Sequence, residues 1–115
     1  MECLFCKIAN KTAEAEIVYE DDEVLGFKNI HPEAPVHLLF IPKKHLWWED
    51  EFDKKNLHIF NKLVLAAKKT AIEYNIFPAC KIVFNIGKTG HIPHIHLHLL
   101  GGWKGEVPMG NISKD

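Results

Sequence analysis

Apolar residues recur along this chain in two rhythms, and the changes of rhythm mark its elements. Across residues 53–74, Leu57, Phe60, Leu63, Val64, Ala67, Ala71 and Tyr74 return at steps of three and four, with lysines on the opposite side. That spacing predicts one long amphipathic helix, ended by Asn75 and Pro78. Elsewhere the runs are short and β-prone. Residues 17–20 and 24–29 flank Asp21-Asp22 as a hairpin would, and 36–41 is a dense apolar strand closed by Pro42. Residues 31–35 hold two prolines and are a loop, because proline cannot donate to a continuing ladder. Residues 80–86 and 94–100 read as two more strands, stopped by glycines, and LFCKIAN near the start reads as a short helix. The stretch from Trp103 onward has no periodicity. One long helix, hairpin-like strands and no strand–helix alternation predict an α+β fold with a largely antiparallel sheet.

Composition narrows the class. A chain of 115 residues suits one domain, 1–115, and 47% hydrophobic with 25% charged residues is the balance of a soluble globular protein. No apolar run approaches the roughly 20 residues of a membrane span. Fifteen acidic against fourteen basic residues leave a net charge of −1, so no bulk field draws the chain to nucleic acid or anionic lipid. Small ligands remain as partners. Three cysteines cannot form a complete disulfide framework, and MECLFCKIANK lacks the pattern of a secretory signal, which together suggest a reducing cytoplasm. In that setting Cys3-x-x-Cys6 is a metal or redox element more readily than a disulfide, while Cys80 reads as plain core.

The densest chemistry is PHIHLHLLGG. On an extended strand His94, His96 and His98 share one face, roughly 7 Å apart, and Ile95, Leu97 and Leu99 share the other. Neighbouring imidazoles at that spacing suit an anionic group such as phosphate. A solvated polar face is the plainer alternative. Three rings spread along a straight strand are awkward for a single ion, whose ligands lie at about 2 Å, though a ring at the end of the row can join ligands from elsewhere.

His94-Ile-His96-Leu-His98-Leu-Leu resembles the signature of the histidine triad superfamily of nucleotide hydrolases and transferases. The likeness extends through residues 3–42, Asn85 with its glycines, and Gly101-Gly102, and is greatest to the nucleotide-binding branch. The resemblance implies a fold with an antiparallel sheet, one long helix and a short N-terminal helix, assembled as a homodimer with a continuous sheet. It also implies hydrolysis of purine nucleoside 5′-phosphoramidates, or related mixed nucleotide anhydrides, at the α-phosphate through a covalent nucleotidyl-histidine. In that scheme His96 is the nucleophile, its other nitrogen donating to a backbone carbonyl. His98 and His37 donate to the phosphoryl oxygens. Asn85 contacts phosphate or ribose, and Phe5, Phe27, Ile30 and Leu39 line a pocket for the purine of an AMP or GMP derivative.

Two positions depart from the family pattern. Asn29 stands where many relatives carry an aspartate that accepts from both ribose hydroxyls; an amide offers one acceptor oxygen and a donor. The loop 87–93 is shorter than usual and lacks a glutamine, leaving His91 either as a donor or general acid to the leaving group or as an exposed loop residue. The resemblance further implies a structural Zn2+ held by Cys3, Cys6, His45 and His94, a closed set of two thiolates and two imidazoles. Two alternatives stay open: a dinucleoside polyphosphate hydrolase, and a nucleotide-binding interaction module with incidental hydrolysis. Removal of adenylate from nicked DNA would call for basic surface that the sequence lacks. Trp47-Trp48 reads as a contact patch or part of a dimer.

Overall fold

Burial of two apolar faces organises the computed structural model, which describes residues 3–47, 56–86, 92–105 and 107. The order of elements is α1 (Leu4–Ala9), β1 (Ile17–Glu20), β2 (Val24–Lys28), β3 (Val36–Pro42), α2 (Leu57–Glu73), a 3-10 turn (Phe77–Ala79), β4 (Cys80–Phe84) and β5 (Leu97–Gly101). The strands form one five-stranded sheet, order β1-β2-β3-β5-β4, with every neighbouring pair antiparallel. This is the α+β architecture the residue patterning predicts.

Side-chain alternation sends Leu38, Phe40, Leu97 and Leu99 to one face, where Ile59, Leu63, Ala66, Ala67 and Ala71 of α2 close the larger core. Leu25, Phe27, Leu39 and Ile41 point to the opposite face and are covered by Cys3, Phe5 and Ile8 of the N-terminal segment. Gly26 permits the close approach of Phe40: a Cβ there would lie 2.6 Å from the ring. The β1–β2 turn is closed by Asp21, whose carboxylate accepts from the amides of Glu23 and Val24 at 2.8 Å each and from the Tyr19 hydroxyl at 2.7 Å. Burial alone would raise the Asp21 pKa; the Tyr19 hydroxyl and the two amides outweigh it and hold the carboxyl below its ordinary range. Helix α2 ends as expected at Asn75, whose φ of 58° lets its amide reach Ile72 O while Ile76 N bonds Ala71 O.

Several predicted bounds shift. The helix is regular from Leu57, and residues 53–55 lie outside the described residues. Its buried face is rotated from the expected one: Ile59, Ala66 and Thr70 are buried, whereas Leu57 and Val64 are exposed. Strand β2 stops at Lys28 and β4 at Phe84. The predicted strand 94–100 is regular only from Leu97 to Gly101, because His94 N bonds Ile92 O in a tight turn and Ile95 N bonds Leu46 O, away from the ladder. Trp47 packs on the edge of the larger core, and Trp48 lies outside the described residues. Among the described residues no helix is long and apolar enough to cross a membrane.

Candidate active site and metal centre

The histidine face is dry. His94, His96 and His98 are each no more than 1% exposed, with Phe5 of α1 packed on the first two, so the alternative of a solvated polar face is excluded. Alternation survives beyond the ladder: Ile95, Leu97 and Leu99 all join the α2 core while the three rings turn the other way. The histidines then divide into two groups, His94 apart from His96 and His98, the division that the family resemblance implies.

His94, at the turn before β5, faces Cys3 and Cys6 of the N-terminal segment and His45, which follows β3. Its Nδ1 lies 3.5 Å from each sulfur, and Cys6 Sγ lies 3.1 Å from His45 Nδ1. All four donor atoms fall within 4.8 Å of one another, so these residues form a set that could hold a metal ion. A tetrahedron with metal–sulfur bonds of about 2.3 Å and metal–nitrogen bonds of about 2.0–2.1 Å has sulfur–nitrogen edges of about 3.6 Å, close to the separations here. The tautomer also fits. His94 Nε2–H donates to Pro42 O at 2.8 Å, which leaves the Nδ1 lone pair facing the sulfurs, and the carbonyl acts as the outer partner that fixes a ligating ring. Burial pushes the His94 pKa down to about 4, against the raising effect of the Pro42 bond, so the ring is neutral at ordinary pH. With no ion present, burial and then the neighbouring Cys3 sulfur raise the Cys6 thiol to about 11; a bound cation would reverse that order.

The second group is His96, His98 and His37. His96 Nδ1–H donates to the carbonyl of His94 at 2.7 Å. Its Nε2 is therefore the nitrogen with the lone pair, and it is the buried side-chain polar atom left without a partner among the described residues. A neutral imidazole fixed in that tautomer can act as a nucleophile. His37 is set by the loop before β3: the Glu33 amide donates to its Nδ1 at 3.0 Å. In a neutral ring the His37 proton is then on Nε2, which donates to His98 Nδ1 at 2.9 Å and so places the His98 proton on its own Nε2. The His96 and His98 rings lie 4.9 Å apart, so a lone pair and an N–H occupy adjacent places on one buried face.

Next to the rings, Phe5, Ile8, Phe27, Asn29, Ile30, Leu39 and Ile92 line a cavity of about 160 Å3, with Phe5 edge-on to His96 at 5.0 Å. Five of the six residues expected around the nucleotide, all but Asn85, thus meet at one cavity, Ile30 as a rim residue that is 80% exposed. Asn85 directly follows Phe84, the last residue of β4, whose Cα partner is Leu97 at the start of β5. His91 lies outside the described residues. The sequence reading did not find the backbone groups that orient the rings (Glu33 N, Pro42 O), since backbone atoms carry no residue signature. Ile8 it could have found, being three positions from Phe5 on one helical turn.

Comparison with known proteins places this geometry in context. Residues 2–109 match the family described as "Scavenger mRNA decapping enzyme C-term binding". The chain is 38% identical to Protein HitA of Neisseria gonorrhoeae over 101 residues, 86% of this chain and 94% of that protein. A crystal structure of a HIT family hydrolase from Legionella pneumophila Philadelphia 1 superposes with a TM-score of 0.86 at 38% identity, covering 95% of this chain and 100% of the other. A Zn-bound histidine triad family protein from Mycobacterium smegmatis superposes with a TM-score of 0.77 at 29% identity, covering 92% and 78%.

Proposed function

The chain belongs to the histidine triad (HIT) family, and from that premise we propose that it is a hydrolase of purine nucleoside 5′-phosphoramidates and related mixed nucleotide anhydrides. The observation that carries this reading is His96 Nε2, a buried lone pair held in place by the bond from Nδ1 to the His94 carbonyl. Nε2 attacks the α-phosphorus, and the bond from phosphorus to the leaving amine or phosphate breaks with its electron pair on the leaving group, which takes up a proton. Water then attacks the nucleotidyl-imidazole, releasing the nucleoside monophosphate and restoring the ring. His98 Nε2–H donates to a phosphoryl oxygen as charge moves onto it, and His37 holds the His98 ring in the tautomer that makes this possible. Asn85 contributes a further polar contact at the end of β4, and the purine occupies the cavity of Phe5, Phe27, Ile30 and Leu39. His91 assists departure of the leaving group.

Cys3, Cys6, His45 and His94 bind Zn2+ in this reading, a cation suited to two sulfurs and two imidazoles. A closed set of four ligands supplies cross-linking and no open position for substrate. The reading also includes a homodimer and a reducing, cytoplasmic setting.

The test is turnover of adenosine 5′-phosphoramidate and of a diadenosine polyphosphate by the wild type and by His96→Ala. Phosphoramidate turnover that disappears in the variant is the expected result. Preference for the polyphosphate would assign the other leaving group, and nucleotide binding without turnover of either would make the protein a binding module.

A further inference from the structure

The purine cavity runs along one row of the sheet. His98, Leu39, Phe27 and Ile17 are successive Cα partners across β5, β3, β2 and β1. Partners in a ladder share a face, so Leu39 and Phe27 form the cavity floor, and Phe5 and Ile8 of α1 lie over them. Three inter-strand spacings of about 4.8 Å put roughly 14 Å between the ends of the row. The histidines hold one end. Past Phe27 the cavity opens into a groove of about 630 Å3, and Glu14 and Ala15 border both.

The segment entering β1 carries Glu14 to the end away from the histidines. Glu16 O accepts from Lys28 N at 3.0 Å, so the chain reaches β1 along the edge of β2 that faces away from β3. Other carboxylates of this region are engaged. Glu16 pairs with Lys28 at 2.7 Å, and Glu20 pairs with Lys11 at 3.0 Å and Lys43 at 2.8 Å. Glu14 is exposed, and its carboxylate has no hydrogen-bond or ion-pair partner among the described residues. Its two oxygens are a pair of acceptors at the rim of the cavity.

A nucleotide bound along this row has its phosphorus before His96 Nε2 and its base over Leu39 and Phe27. The Watson–Crick edge of a purine lies on the six-membered ring, away from the glycosidic bond and so from the phosphorus, which brings it to the Glu14 end. Guanine presents there N1–H and a 2-amino group, two parallel donors that match the two oxygens of a carboxylate as an arginine fork does. Adenine presents the N1 lone pair, which a carboxylate oxygen repels, beside a single 6-amino donor. We infer that Glu14 is a specificity-determining residue that accepts from N1–H and the 2-amino group, so that guanosine 5′-phosphoramidates are preferred to the adenosine compounds. The substrate's own phosphate does not oppose this contact, because roughly 14 Å of separation exceeds a Debye length of about 8–10 Å. Water competes at an exposed rim, so the expected preference is about tenfold, at the low end for paired charge-assisted bonds.

This inference rests on the proposed hydrolase reading, and the experiment separates the two. kcat/KM is measured for guanosine, inosine and adenosine 5′-phosphoramidates, with calorimetric binding of GMP and AMP alongside, in the wild type, Glu14→Gln and Glu16→Gln. The wild type is expected to favour guanosine over adenosine about tenfold, with inosine, which keeps N1–H and lacks the amino group, between them. Glu14→Gln offers one acceptor and one donor, the pattern that suits adenine, so its guanosine-to-adenosine ratio should fall by at least about fivefold. Glu16→Gln removes an equal charge two residues away and should keep the wild-type ratio. A wild-type ratio below fivefold overturns the inference, as does a smaller fall in a folded Glu14→Gln protein. An equal fall in Glu16→Gln also overturns it, by making the effect one of charge and not of contact. Absence of turnover with GMP bound at least fivefold more tightly than AMP would refute the hydrolase reading and uphold this one; without turnover, equal binding of the two or binding of neither would overturn both.

Discussion

At the residue scale, identity is less informative than what each ring nitrogen bonds to. His94, His96 and His98 are the same residue in strict alternation, yet one faces two sulfurs, one presents a lone pair and one presents an N–H. The difference comes from three partners: the Pro42 carbonyl, the His94 carbonyl and the His37 ring. His98→Ala tests the third assignment. Removing a donor to the phosphoryl oxygens should lower kcat by about 10^2–10^3 with little change in KM. It should also lower stability by about 1–3 kcal/mol, because the buried His37 Nε2–H loses its acceptor. Stopped-flow kinetics with chemical denaturation read both, and an unchanged kcat would show that His98 serves only to fill the face. The alternation itself was legible in the sequence, whereas a backbone carbonyl for His96 was only what the family resemblance implied. Which residue supplied that carbonyl was not legible, because it is set by the local backbone conformation between His94 and His96, and neither was the burial of the three rings, which depends on what packs against them.

At the scale of elements, α1 is the piece least able to stand alone. Six residues fall well short of the roughly 12–15 at which an isolated helix becomes even marginal, and Cys3 at its N-cap makes no side-chain capping bond. What holds it is the burial of Phe5 and Ile8 and the set of Cys3, Cys6, His45 and His94. If that set holds the proposed zinc, loss of the metal should act on stability before chemistry. Chelation, or Cys6→Ser, is expected to lower Tm by at least 5 °C, at about 4–8 °C per kcal/mol for a domain near this size, while kcat at low temperature changes less than about threefold. Metal analysis of protein purified without chelators should give about one zinc per chain; a value near zero, or a Tm indifferent to chelator, would leave α1 held by apolar burial alone. The α1 helix, the hairpin, β3 and the end of α2 were readable from local chemistry: Asp21 at a turn, Pro42 after a strand, Asn75 at a positive φ. The start of β5 was not. Alternating side chains mark an extended backbone, whereas a strand also needs a partner, and Ile95 spends its amide on Leu46.

At the scale of the whole molecule, α2 covers one face of the sheet incompletely. It packs on β1, β2, β3 and β5, and the edge strand β4 lies beyond its main contacts. Ile82 of β4 pairs with Leu99, whose side chain is in the α2 core, yet Ile82 itself is exposed. Leu57, Val64, Leu65 and Ile72 on α2, with Phe77 and Ile86, are exposed as well. The face predicted from helical periodicity was displaced for this reason: the helix carries more apolar positions than one core uses, and Val64 belongs to the surplus. Exposed large apolar side chains, together with a strand that has no second partner among the described residues, are features that association removes from water. A twofold axis beside β4 would pair that strand with its own copy in antiparallel sense and bring the surplus apolar residues of two α2 helices together. The expected state is therefore a dimer in light scattering at micromolar concentration. Ile82→Glu, a charge on the edge strand away from the histidines, should weaken the dimer at least tenfold, because each subunit would bury a carboxylate at the interface. A wild type that elutes as a monomer, or an Ile82→Glu protein whose dimer is undiminished, would place the partner of this face elsewhere.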